Sequence, residues 1–133
     1  MTKGGRGGFK DTPGQDLLAG ILKGVIERSG INPAAVEDIS VGSVLPPGGG
    51  ATEFRAAALV AGFPVTTAVR ATNRQCSSGL QAVVDVANAI RVGQIEVGVG
   101  AGVESMSSQY GYVSSLTPNC YLQLNKYVSA HKP

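Results

Sequence analysis

Apolar positions recur along this chain with two alternating periods. Leu17, Leu18, Ile21, Leu22, Val25 and Ile26 fall at helical spacing and predict an amphipathic helix over 13–29. Thr12-Pro13-Gly14-Gln15 ahead of it resembles a capping box with Pro at the first helical position, and Gly30 ends it. Asn32-Pro33 opens a short second turn. The segment 38–45, DISVGSVL, then switches to alternation with β-branched residues and predicts a strand stopped by Pro46-Pro47-Gly48-Gly49-Gly50.

The same order repeats twice more. Residues 51–62 are Ala-rich and end before Pro64, as expected of a helix lying close on a sheet. Residues 66–72 predict a short strand, 77–92 a third helix and 95–101 a nearly all-apolar strand. Helix and strand in alternation imply an α/β layered domain with a largely buried sheet. The chain opens on a loop and a helix with no strand ahead of them, so a first strand is expected to be missing from this repeat.

Length and composition narrow the picture. A chain of 133 residues holds a single core, and 43% hydrophobic with 15% charged residues is a globular balance. Eleven basic and nine acidic residues give a net charge of +2 with no like-charged run longer than a pair, which offers no footprint for nucleic acid. The longest apolar stretch, Ala56 to Phe63, is far short of the roughly 20 residues that cross a bilayer. Residues 1–12 hold no apolar core of a secretory signal, so the expectation is a soluble intracellular protein. Composition changes near residue 111: the last Gly is Gly111, the last acid Glu104, and all four Tyr lie from Tyr110 onward. The expected organisation is therefore a partial domain over 1–109 and a divergent tail over 110–133.

Only two cysteines are present, Cys76 and Cys120, too few for a disulfide framework or, with His131 alone to help, a zinc site. Cys76 sits in Asn73-Arg74-Gln75-Cys76-Ser77-Ser78-Gly79-Leu80, between a predicted strand and a predicted helix. A thiol there meets the exposed N–H groups and the positive end of the helix dipole, which favour the thiolate. The turn would lift the sulfur out of the strand end as in a nucleophile elbow, and Gly79 lets another backbone come close. The alternative is a small buried hydrophobe, but the polar neighbours suit an inert core thiol poorly.

NRQCSSGLQA around Cys76, with Gly102-Val103-Glu104-Ser105-Met106-Ser107 after the last strand, resembles the acylating-cysteine signature of thiolases. Arg6-Gly7-Gly8-Phe9-Lys10-Asp11 and Val41-Gly42-Ser43-Val44-Leu45 resemble the early part of 3-ketoacyl-CoA thiolases of the peroxisomal type, and the likeness covers about residues 4–109. The resemblance implies a layered N-terminal half with a mixed sheet packed by helices, and Claisen-type acyl transfer on coenzyme A thioesters. Cys76 is the position that matches the nucleophile. Coenzyme A would be a co-substrate with no bound cofactor, acyl-CoA and CoA the substrates, the full-length family a homodimer, and the compartment the peroxisome.

Two family features have no counterpart here. Thiolases carry a His in a Gly-His-Pro motif and a second Cys in a Gly-rich motif in their C-terminal half, whereas the one His of this chain is His131 and Cys120 lies in Pro118-Asn119-Cys120-Tyr121. The expectation is a chain that holds the nucleophile and lacks the groups that activate it. The alternative is a non-catalytic module that keeps the dimerisation surface. Gly98, Gly100 and Gly102 imitate a dinucleotide loop, but they lie inside a strand and suit close sheet packing better. Gly4-Gly5-Arg6-Gly7-Gly8 reads as a flexible loop rather than a phosphate cradle, and Arg55, Arg70 and Arg74 as surface or interface residues rather than contacts to CoA.

Overall fold

In the computed structural model, which describes residues 2–109, the alternation within Asp38–Gly42 (β1) sets the layering. Ile39 and Val41 point to one face and Ser40 and Gly42 to the other, and all four are buried. Ala68–Thr72 (β2) and Gly98–Gly102 (β3) pair with β1 from either side in the order β2-β1-β3, with Ser40 opposite both Arg70 and Gly100. All three described strands are parallel, so each connection is a crossover through a helix. The two crossovers run in opposite directions across the sheet, β1 to β2 one way and β2 back past β1 to β3 the other, and connections of one hand that do so lie on opposite faces.

The two faces of the sheet carry different helices. Gly14–Ser29 (α1) and Ala51–Ala61 (α2) cover the face of Ile39 and Val41, where Leu18, Leu22, Phe54, Ala58 and Phe63 complete the core. Ser78–Arg91 (α3) covers the other and turns Ala82, Val86 and Ala89 onto it. Here β3 contributes glycine at every second position, because α3 lies too close for side chains. A Cβ at Gly100 would stand 2.6 Å from Val83 Cα, and one at Gly98 2.8 Å from Val86 Cγ1. The alternating glycines thus serve sheet packing, as their position inside a strand implies.

The helices lie where the periodicity puts them, and the strands are shorter. Strand β1 stops at Gly42 rather than 45 because the amides of Val44 and Leu45 leave the sheet for the Glu104 carboxylate, at 2.9 and 3.2 Å. Strand β3 starts at Gly98 rather than 95 because the Glu37 carboxylate takes the amides of Glu96 and Val97. Strand β2 starts at Ala68, after a turn in which Thr67 N–H donates to Pro64. Pro13 is the N-cap of α1 rather than its first residue, and no side chain caps that end, so the expected capping box does not form. Asn32 does cap a 3-10 turn over Pro33–Ala35 by accepting from Ala34 N–H at 3.0 Å. The expected tail over 110–133, with Cys120 and His131, lies outside the described residues.

Candidate active site

The carboxyl ends of parallel strands are where an α/β sheet places ligands, above all where the connections diverge. Here the direction of connection reverses between β1 to β2 and β2 to β3, with β1 in the middle of the sheet, and a groove of about 620 Å³ opens at that end. Its walls are the loop after β1 with Ser43 and Leu45, the β2–α3 elbow with Gln75 and Cys76, and the residues after β3 with Glu104.

Cys76 stands in this elbow as an exposed free thiol, one residue before the α3 N-cap Ser77. Neither the Ser77 hydroxyl nor any other side chain caps the helix; of its first-turn N–H groups, Ser78 N–H donates to Gln75 C=O at 3.0 Å. The elbow is tied within itself. Asn73 Oδ1 accepts from Gln75 N–H at 3.0 Å, and Arg74 C=O accepts from Ser77 N–H at 3.2 Å and Ser77 Oγ at 2.8 Å. Ser78, 3% exposed, accepts from Arg74 N–H at 2.8 Å and donates to Gln75 C=O at 2.6 Å. Gln75 holds φ at +52°, the left-handed region that non-glycine residues seldom enter.

Glycines bring the elbow down onto the sheet. Any side chain at Gly42 would overlap the Ser78 carbonyl group, and a Cβ at Gly102 would lie 3.2 Å from Gly79 Cα. The room is made by Gly42 and Gly102 rather than by Gly79, where a Cβ would meet only Gly102 Cα at an ordinary 3.8 Å. Beneath α3, Ser40 Oγ pairs with Thr72 Oγ1 at 3.2 Å, Thr72 Oγ1 donates to Asp85 Oδ2 at 3.4 Å, and Gln81 Nε2 donates to Asp85 Oδ1 at 2.6 Å.

Glu104 fixes the opposite wall. Besides the amides of Val44 and Leu45, Ser43 Oγ lies 3.2 Å from its carboxylate while donating to Val103 C=O at 2.6 Å. The motif Gly102-Val103-Glu104-Ser105 was visible in the sequence, but this role was not. An acid directly after an apolar strand is its only local mark.

The other candidate residues have structural work. Arg55 donates to the carbonyls of Thr67 and Val65, Arg70 pairs with Asp38 at 3.5 Å, and the Arg74 guanidinium donates to Gln81. The glycine-rich N-terminal loop folds into turns, with Gly7 N–H donating to Lys3 C=O and Gly5 N–H to Ser107 Oγ at 2.9 Å. Among the described residues no three His, Cys, Asp or Glu side chains gather as metal ligands.

The family model described as thiolase, N-terminal domain, matches residues 1–129. The chain belongs to the thiolase family. It is 59% identical over 117 residues to the peroxisomal 3-ketoacyl-CoA thiolase of Yarrowia lipolytica, covering 88% of this chain and 28% of that protein. With the peroxisomal 3-ketoacyl-CoA thiolase 5 of Arabidopsis thaliana the identity is 58% over 111 residues, covering 83% and 24%. The solved peroxisomal 3-ketoacyl-CoA thiolase of Saccharomyces cerevisiae superposes with a TM-score of 0.78 at 46% identity, over 83% of this chain and 33% of that one. That structure is described as five-layered, α-β-α-β-α, from two core domains of identical topology, and a second structure of the yeast thiolase, TM-score 0.77, as dimeric. This thiolase chain spans about a quarter to a third of its relatives' length.

Proposed function

We propose that Cys76 is the acyl-accepting nucleophile of a 3-ketoacyl-CoA thiolase acting in peroxisomal β-oxidation. The observation that carries this reading is the exposed thiol in the strand-to-helix elbow, at the mouth of the groove, in a chain whose relatives are named for that activity. The Cys76 thiolate attacks the keto carbon of a 3-ketoacyl-CoA. The bond between that carbon and its neighbour towards the thioester breaks, its electron pair stays on the departing acetyl-CoA, and that carbanion takes a proton. Free CoA then attacks the acyl-cysteine through its own sulfur, releasing a shortened acyl-CoA and restoring Cys76. Covalent catalysis divides one difficult carbon–carbon cleavage into two steps, with the acyl group held as a thioester between them.

The same reading makes acyl-CoA and CoA the partners of this site, CoA a co-substrate rather than a resident cofactor, and the assembled enzyme a homodimer like the yeast thiolase. It also has the chain turn over slowly by itself. The sequence has no Gly-His-Pro, and general-base catalysis is worth about 10²–10⁴-fold. Incubation with acetyl-CoA followed by peptide-resolved mass spectrometry tests the assignment. A thioester adduct on Cys76 supports it, and a chain left unmodified at neutral pH refutes it.

A second reading, a non-catalytic module that pairs with a full-length thiolase, has one observation in its favour. Strand β2 is bonded on one side only among the described strands, and free edges invite pairing with another chain. Co-purification with an intact thiolase supports this reading, and a monodisperse monomer in its presence excludes it.

A further inference from the structure

We propose that Ser78 is the positioning residue of the nucleophile, its buried hydroxyl holding Gln75 in the left-handed conformation that presents Cys76 to the groove. The proposal rests on the reading of Cys76 as nucleophile and goes beyond it. Gln75 is the one non-glycine residue with positive φ among the described residues, and it immediately precedes Cys76. An L-residue enters that region against steric resistance between its Cβ and the backbone, so something must hold it there. Ser78 Oγ touches both ends of the strained unit, receiving Arg74 N–H on one side and donating to Gln75 C=O on the other.

One hydroxyl offers one proton and two lone pairs, and this arrangement uses the proton for the carbonyl whose orientation follows the Gln75 torsion. Ser78 cannot drift away from the pair. Its backbone is pressed against Gly42, where no side chain fits, and its side chain is sealed from solvent. Of the other hydrogen bonds of the elbow, three close the turn around Arg74 and one, from Ser78 N–H at 3.0 Å, also ends on the Gln75 carbonyl, so the Ser78 hydroxyl is the one side chain that reaches that carbonyl and adds to the backbone bond there.

The test is a double-mutant cycle on Ser78→Ala and Gln75→Gly in the full chain, read as the rate constant for alkylation of Cys76 by iodoacetamide, resolved by peptide mass spectrometry. Glycine tolerates φ of +52° without help, so it removes the need for the latch. Ser78→Ala is expected to slow alkylation at least about threefold when Gln75 is kept and to have less than half that effect in the Gln75→Gly background, a coupling of the size seen for groups in contact. A merely structural contribution of the hydroxyl would give the same loss in both backgrounds, and that result overturns the proposal, as does no loss in either. If Ser78→Ala gives no cooperative melting transition, Gln75→Val against Gln75→Gly decides. The β-branched residue resists positive φ and must react more slowly, and equal rates overturn the proposal. Iodoacetamide needs no acyl-CoA chemistry, so this cycle stands or falls separately from adduct formation with acetyl-CoA, whose failure would refute the nucleophile reading instead.

Discussion

A carboxylate that accepts two backbone amides across about 60 residues of sequence separation is a clamp, and Glu104 is that clamp for the wall facing Cys76. Hydrogen bonds to a charged acceptor are stronger than neutral ones, and their loss frees Val44 and Leu45 to open. Glu104→Ala should therefore speed amide exchange at Val44 and Leu45 by about tenfold, as the loss of roughly 1.4 kcal/mol from local opening does, while the core amides of β1 keep their protection. Exchange at 44 and 45 unaffected by the substitution would show the loop to be held by something else. The sequence made Cys76 legible because polar neighbours and a helix start can be read locally. Glu104 and Ser78 were not legible in role, because each acts through bonds that depend on how distant backbone returns to the elbow.

Between elements, the contact of α3 with β3 is made by leaving side chains out. Gly100→Ala would drive a methyl group into the backbone of Val83, and overpacking of this kind costs about 1–3 kcal/mol. Gly24 in α1 has nothing within 4 Å of the same position, so Gly24→Ala should stabilise by about 0.5–1 kcal/mol through helix propensity. Opposite shifts of the thermal midpoint in the two variants are the expected outcome, and a midpoint lowered equally by both would contradict the packing. The hydrophobic period placed all three helices within a residue or two of their observed ends, since one face of each is apolar over several turns. It overran the strands. Their ends are decided by Glu37 and Glu104 capturing amides from far along the chain, which no window of neighbouring residues records.

For the molecule as a whole, α3 is the element that asks for a partner. Leu80 and Val84 are 70% and 40% exposed on the side of α3 away from the sheet, and Val83 and Ile90 are 49% and 43% exposed along its flank, Val83 also lying against Gly100 of β3, while Ala82, Val86 and Ala89 face the sheet. A helix apolar on both sides belongs between two layers. The described residues make three layers, and the yeast thiolase is described as five built from two core domains, which fits a shared central helix layer. Replacing Leu80 and Val84 by Lys should convert concentration-dependent association of this chain into a monomer on analytical ultracentrifugation, and a wild-type chain that is monomeric at every concentration contradicts the expectation. Above that face the elbow holds Cys76 at the groove, and the account rests on what that sulfur does. The most direct measurement is peptide-resolved mass spectrometry of the chain after incubation with acetyl-CoA. The account predicts a hydroxylamine-labile acetyl group on Cys76 and none on Cys120, whereas an unmodified Cys76, or equal labelling of both cysteines, would contradict it.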